Sequence, residues 1–247
     1  MEAIEMFNIL NSVDSTNNYA MGMVHAGMAK HGMAWFAIDQ TAGKGQQGKV
    51  WETAAGQNLA LSIVLQPGKP FARQQFFFSA VIANTCYEFF KSYAGTETSV
   101  KWPNDIYWRD RKAGGILIEN KLMGENWKWA VVGIGININQ TEFTDQLSRA
   151  VSLKQVSGNN YDPAELARIL HARIVHKINA TTQSDFPGIL KDYNDHLYLR
   201  NSSTRLKKDN IIFETCIKGV NEFGQLITED AVERIFNFGE VEWVGNS

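Results

Sequence analysis

With 247 residues, 44% of them hydrophobic and 20% charged, the chain is long enough for one good-sized domain and a small appendage, and too apolar for disorder. A net charge of −2 gives no electrostatic reason to expect nucleic acid as a partner. Cys86 and Cys216 lie far apart without metal-ligand spacing, and Met1–Glu5 carries no apolar signal core. No apolar run approaches the roughly 20 residues of a membrane span, so the expectation is a cytoplasmic protein with free thiols and no membrane partner.

In chain order, Asp14-Ser15-Thr16-Asn17 supplies helix-capping side chains ahead of a short helix through Tyr19–Val24 that closes at Gly27. Met33–Ile38 predicts a strand, Gly43–Trp51 a glycine-rich loop, and Asn58–Leu65 a second strand followed by a turn at Pro67–Pro70. Residues 71–93 form a long apolar helix, with Phe77, Val81, Ile82, Thr85 and Phe89 at helical spacing. Strands are expected around 98–101, 104–108, 113–120 and 128–137. Asp162-Pro163-Ala164-Glu165 reads as a helix start, with Asp as cap, Pro in the first helical position and Glu in the capping box. Leu166, Ile169, Leu170, Ile174 and Ile178 continue one face of that helix, and another helix spans 185–196. From about Asn201 short strands take over at Ile211–Phe213, Thr215–Ile217, Leu226–Thr228 and Val241–Trp243. The expected organisation is therefore a domain over 1–200 and a small β domain over 201–247.

Two segments carry more chemistry than a core requires. Lys101-Trp102-Pro103-Asn104-Asp105, followed by Lys112-Ala113-Gly114-Gly115, is apolar enough for buried strands yet holds charges that burial would penalise unless paired. The loop Gly43-Lys44-Gly45-Gln46-Gln47-Gly48-Lys49 is rich in glycine and cation, and together the two suggest a site that handles a phosphate and a carbonyl. Gly43, Gly45 and Gly48 match the dinucleotide fingerprint, but a strand rather than a helix follows, so no helix N-terminus faces a pyrophosphate. The spacing Gly43 to Gly48-Lys49 also resembles a P-loop, but Val50 stands where a hydroxyl should hold magnesium. An irregular anion-binding loop and a solvated surface loop both survive this test.

Taken together, these motifs resemble biotin protein ligases. The resemblance rests on Ser15-Thr16-Asn17, the run Gln40–Trp51, Lys101–Asp105, Lys112–Glu119 and Gly133-Ile134-Gly135-Ile136-Asn137, in that order and spacing, and covers nearly the whole chain. It implies an α+β fold: a mixed β-sheet backed by helices, like that of class II synthetases, with a small C-terminal SH3-like barrel. It also implies MgATP-dependent activation of biotin to biotinyl-AMP and transfer to a lysine of a biotin carboxyl carrier protein. The form without an N-terminal DNA-binding domain is expected, because the motifs begin almost at Met1. DNA is then not a partner, and pairing of two chains through a sheet edge stays open.

The same resemblance assigns roles. Lys112 would touch both the biotin carboxyl group and the phosphate, and Asp105 would bind or deprotonate the acceptor amine; a turn-capping role competes for Asp105. Lys101 receives no role from the resemblance, and simple pairing with Asp105 is one reading of it. Biotin would be held by Ser15, Thr16, Asn17, Gln40, Lys44, Gly45, Gln46, Lys112 and Gly115, with helix capping a rival role for Ser15 and Thr16. The adenylate would lie against Gly43, Lys44, Gly48, Trp51, Lys112 and Asn137, although Trp51 also suits core packing and Asn137 a turn. The sequence names no magnesium ligands, and His171 and His176 lie five apart on a helix, off one face. Many relatives carry arginine where this loop has Lys44, Gln46, Gln47 and Lys49. Arginine grips phosphate with a planar fork, whereas lysine is a point charge and glutamine is neutral. Gln46→Arg is accordingly expected to slow dissociation of biotinyl-AMP, measured as release of labelled adenylate from the two proteins.

Overall fold

The computed structural model describes residues 6–124 and 126–244. Its first half is built on a seven-stranded mixed sheet in the order β1-β2-β3-β7-β6-β5-β4. The strands are β1 (Phe7–Val13), β2 (Ala34–Gln40), β3 (Leu59–Leu65), β4 (Thr98–Lys101), β5 (Asp105–Trp108), β6 (Arg111–Met123) and β7 (Asn126–Ile136). Among the described residues of this sheet, β1 and β2 pair in parallel and the other neighbouring strands are antiparallel. The helices are α1 (Thr16–His25), α2 (Gly68–Phe71), α3 (Gln75–Ala94), α4 (Leu153–Ser157), α5 (Pro163–Ala180) and α6 (Phe186–Asp195).

The faces of the sheet are used differently. Leu59, Leu61, Ile63 and Leu65 of β3 join the main core with Phe78, Phe89 and Phe90 of α3 and Leu170 and Ile174 of α5. On the other face a smaller apolar cluster forms beneath α1 from Ala20, Val24, Trp35, Val64 and Val131. α3 is held by aromatic packing as well as by area: Phe77 stacks on Phe186 at 4.2 Å, and Phe78 meets Phe71 and Trp127 edge-on at 5.3 and 5.0 Å. Phe78→Ala is expected to cost about 3–5 kcal/mol, because it deletes a fully buried ring from a rigid cluster. Urea unfolding of the two proteins checks this.

The C-terminal segment is a five-stranded antiparallel sheet in the order β11-β10-β9-β8-β12. Its strands are β8 (Ser203–Lys208), β9 (Ile211–Val220), β10 (Leu226–Glu229), β11 (Glu233–Phe236) and β12 (Glu242–Val244). Leu206, Ile217, Leu226 and Phe236 belong to the same buried cluster as the main core, so the sheet is packed onto it.

Several expectations change. The turn at Pro67–Pro70 is the single-turn helix α2, and the strands expected at 211–213 and 215–217 are one continuous β9. β1, β8, β11 and α4 were not expected. β8 is polar in sequence and buries only Thr204 and Leu206, while β11 buries only Phe236. Edge or half-exposed strands of this kind lack the apolar run that marks a strand in sequence.

Candidate active site

Small residues cut a trough across the sheet. Strand register aligns Ser62, Gly133 and Leu117 on one rung, and Ala60, Gly135, Gly115 and Asp105 on the next. Side chains alternate across a sheet, so these rungs face α1 while Ile116, Ile134 and Ile136 turn toward the main core. Glycine is required at two places. A Cβ at Gly133 would lie 2.3 Å from Asn17 Oδ1, and one at Gly135 would lie 2.3 Å from Cε2 of Trp51. Asn17 and the Trp51 indole thus rest on bare backbone, over adjacent rungs.

The trough floors a cavity of about 540 Å³, within the usual size for a small-molecule site. At one end stands the N-terminus of α1. Ser15 is its cap, accepting from the Asn18 N–H at 3.5 Å. Thr16 does no capping: its N–H and hydroxyl both donate to Gln40 Oε1, at 2.8 and 3.0 Å. Ser62 Oγ lies 2.8 Å from Thr16 Oγ1 and 2.6 Å from Asn17 Oδ1. Asn17 Nδ2 donates to Glu119 Oε2 at 2.9 Å, and the other Glu119 oxygen receives Lys44 Nζ at 2.9 Å. Ser15, Thr16, Asn17 and Ser62 are all buried, so this polar network is ordered before any ligand arrives.

The glycine loop folds over one side as a tight flap. Gly45 N–H donates to Lys49 O at 2.7 Å, Trp51 N–H donates to Gly43 O at 2.9 Å, and Gln47 adopts φ 53°. Gly43 must be glycine, since a Cβ there would sit 2.3 Å from Trp51 O. Lys44, Gly45, Gln46 and Trp51 line the cavity, whereas Gly43 and Gly48 line a neighbouring recess. Trp51 Nε1 is buried in the wall and finds no hydrogen-bond partner among the described residues.

The opposite side is built by β4–β6. Asn104 anchors the turn: its N–H₂ group donates to Ile116 O, and its own carbonyl accepts from Ile116 N–H at 3.0 Å. The Trp102–Pro103 peptide is cis. Lys112 is pinned by its backbone, whose N–H donates to Arg149 O at 2.7 Å and whose C=O accepts from Val151 N–H at 2.9 Å. Its Nζ meets Asp105 Oδ1 at 2.8 Å and lies 5.7 Å from the Trp51 ring. Lys101 does not form the expected pair with Asp105. Its ammonium donates to Tyr107 OH at 3.1 Å, while Asp105 is engaged by Lys112.

The remaining wall comes from residues of the C-terminal segment that were not singled out in the sequence. Phe238, Gly239, Val241, Glu242 and Trp243, before and in β12, reach the cavity, and Trp102 Nε1 donates to Gly224 O in the turn after β9 at 2.9 Å. Ala60, Ser62 and Glu119 were also missed. A signal existed for the first two, since Leu59–Ile63 alternates large and small residues as Val132–Ile136 does. Asn137 lies away from the cavity lining: it is buried and its Nδ2 donates to Val151 O at 3.2 Å, tying the end of β7 to the segment before α4. His171 meets Gly32 O at 2.7 Å.

Four lysines (Lys44, Lys49, Lys101 and Lys112) line the cavity against two carboxylates, Asp105 and Glu242. That excess of positive charge suits an anionic ligand. Among the described residues no three His, Cys, Asp or Glu side chains gather in metal-binding geometry.

A model of the biotin/lipoate A/B protein ligase family matches residues 9–137, which contain every rung of the trough and both charged segments. The chain belongs to this family. Among biotin/lipoate ligase relatives, the biotin–[acetyl-CoA-carboxylase] ligase of Paracoccus denitrificans is 32% identical over 170 residues, covering 66% of this chain and 68% of that one. The bifunctional ligase/repressor BirA of Bacillus spizizenii is 28% identical over 215 residues, 85% of this chain and 66% of its own. This chain thus spans just under two thirds of that relative's length, and 50% of the length of the Escherichia coli BirA protein. The fold matches a solved biotin protein ligase from Aquifex aeolicus in complex with biotin and ATP, with TM-score 0.81 and 23% identity over 97% of this chain and 98% of that one. Among the described residues of this family member, no helix is long and apolar enough to cross a membrane.

Proposed function

We propose that the protein joins biotin to ATP, forming biotinyl-AMP and pyrophosphate, and then transfers the biotinyl group to a lysine of a biotin carboxyl carrier protein. The observation that carries this reading is one ammonium, Lys112 Nζ, held on Asp105 in the wall of a mostly cationic cavity that the α1 polar network and the glycine flap also line. A carboxylate attacks a phosphate poorly because both are anions, and a fixed cation between them removes that repulsion where charge develops. The Ser15–Asn17 and Gln40 end has the hydrogen-bonding groups a ureido ring requires, and the Gly115–Gly135 trough has the flat apolar floor that suits the rest of biotin. The nucleotide would lie under the flap against Trp51, with Lys44 and Lys49 available to its phosphates and magnesium arriving on them. The names of the relatives support the same chemistry, and the repressor activity in one of those names is no part of the proposal.

The family also contains lipoate ligases, so the acyl substrate is what needs testing. The Arg-Arg-x-Ser-Gly-Gly-Gly motif common in lipoate enzymes is absent from this sequence, which favours biotin. A protein that only senses biotin would need neither Lys112 nor Asp105. ATP–pyrophosphate exchange separates the three: biotin-dependent exchange is expected. Exchange with lipoate alone, or biotin binding without exchange, would contradict the proposal.

A further inference from the structure

Lys101 has surroundings that the adenylation chemistry leaves unexplained. Its Nζ stands 4.6 Å from the Tyr107 ring centre, 5.0 Å from that of Trp243 and 5.6 Å from that of Tyr198, an aromatic enclosure assembled from β5, the C-terminal sheet and the segment after α6. Tyr107 OH is its hydrogen-bond partner, and among the described residues no carboxylate comes within ion-pair distance. The charged and titratable groups that face it are Asp105 and Tyr107 on β5, Lys112 on β6, Arg149 before α4, Lys49 on the flap, and Tyr198. Three of these are cations and one is a carboxylate. Lys101 lines the same cavity as Lys112 and Asp105, at the side closed by the C-terminal sheet.

Transfer to a carrier lysine begins with an acid–base problem. The acceptor reaches the site as an ammonium and must become a neutral amine before it can attack the acyl phosphate. Asp105 is engaged by Lys112 at 2.8 Å, which suits it to attract the incoming ammonium rather than to take its proton.

On the basis of the ligase reading, we propose that Lys101 is the base that accepts the acceptor lysine's proton in the transfer step. Its surroundings make an amine fit for this. Burial pushes its pKa down to about 8, outweighing the pull of Asp105, with Lys112, Arg149 and Lys49 adding to the depression. About a tenth of the amine is therefore neutral at pH 7, against well under a thousandth for an ordinary lysine. Neutral Lys101 takes one proton from the acceptor ammonium and becomes an ammonium itself. The freed amine nitrogen forms a bond to the biotinyl carbonyl carbon, and the bond from that carbon to the phosphate oxygen breaks. AMP leaves with the electron pair, and the second nitrogen proton passes to water.

The test is single-turnover transfer from preformed biotinyl-AMP to a carrier domain, from about pH 6 to about pH 10. Wild type is compared with Lys101→Arg and Trp243→Leu, and pyrophosphate exchange is measured alongside. In wild type the rate should rise through about pH 8 as Lys101 becomes neutral and level off above it. A guanidinium stays protonated throughout, so Lys101→Arg should lose that limb and transfer roughly 100-fold more slowly near neutral pH. Hydroxylamine, already neutral under these conditions, should be acylated by Lys101→Arg within about threefold of wild type, because it needs no base. Trp243→Leu opens the enclosure to water and should move the limb to higher pH. An unchanged pH profile in Lys101→Arg, or equal losses with hydroxylamine and in exchange, would overturn the assignment. Absence of biotin-dependent exchange in wild type would instead remove the ligase reading beneath it.

Discussion

Lys112→Ala is expected to slow biotin-dependent pyrophosphate exchange by roughly 100- to 1,000-fold, the usual loss when one preorganised group facing a developing charge is removed. The physical reason is local. Lys112 is anchored through backbone hydrogen bonds to Arg149 and Val151, and its ammonium rests on Asp105 at the cavity wall, within reach of an incoming anion. Its ion pair with Asp105 is partly solvated, the two side chains being 36% and 23% exposed, and such pairs add little to stability. The variant should therefore unfold at nearly the wild-type temperature while losing activity. Lys112→Arg should recover little, because a planar fork on a longer stem cannot place one point charge between two anions. A loss of activity matched by a large fall in Tm would mean that Lys112 is a structural residue.

Gly133→Ala is expected to have the next largest effect, directed at biotin rather than ATP. The added Cβ would meet Asn17 Oδ1 at 2.3 Å, so Asn17 must move. Moving it breaks its contacts with Ser62 at 2.6 Å and Glu119 at 2.9 Å, and the second of these also carries Lys44 of the flap. Leaving one such buried group unsatisfied costs about 1–3 kcal/mol, or roughly 5- to 150-fold in biotin KM. Trp51 rests one rung away on Gly135, so the KM for ATP should change much less. Exchange kinetics with each substrate varied in turn give both constants. An unaltered biotin KM would show that Asn17 does not frame the biotin end.

How much of this was legible in the sequence depended on how each residue acts. Lys112, Trp51 and the α1 cap lie in short contiguous motifs, and the structure brings the first two to one cavity. The helices α3 and α5 were legible from apolar periodicity and, in α5, from the Asp162 cap and Pro163. Ser62 and Glu119 were not, because their importance comes from sheet register and from contacts 45 and 102 residues away in sequence. The enclosure around Lys101 was hidden for the same reason, since Trp243 arrives from a strand at the far end of the chain. The expected Lys101–Asp105 pair failed because these register partners sit on a tight hairpin where Lys112, from the next strand, takes the carboxylate. β8 and β11 were invisible because each buries at most two side chains.

The most direct measurement is a crystal structure with a non-hydrolysable biotinyl-AMP analogue. Lys112 Nζ should leave Asp105 and lie about 3 Å from both an acyl oxygen and a phosphate oxygen of the analogue. If the analogue binds in the trough while that amine stays on Asp105 or turns to solvent, charge neutralisation by Lys112 is not how this site works.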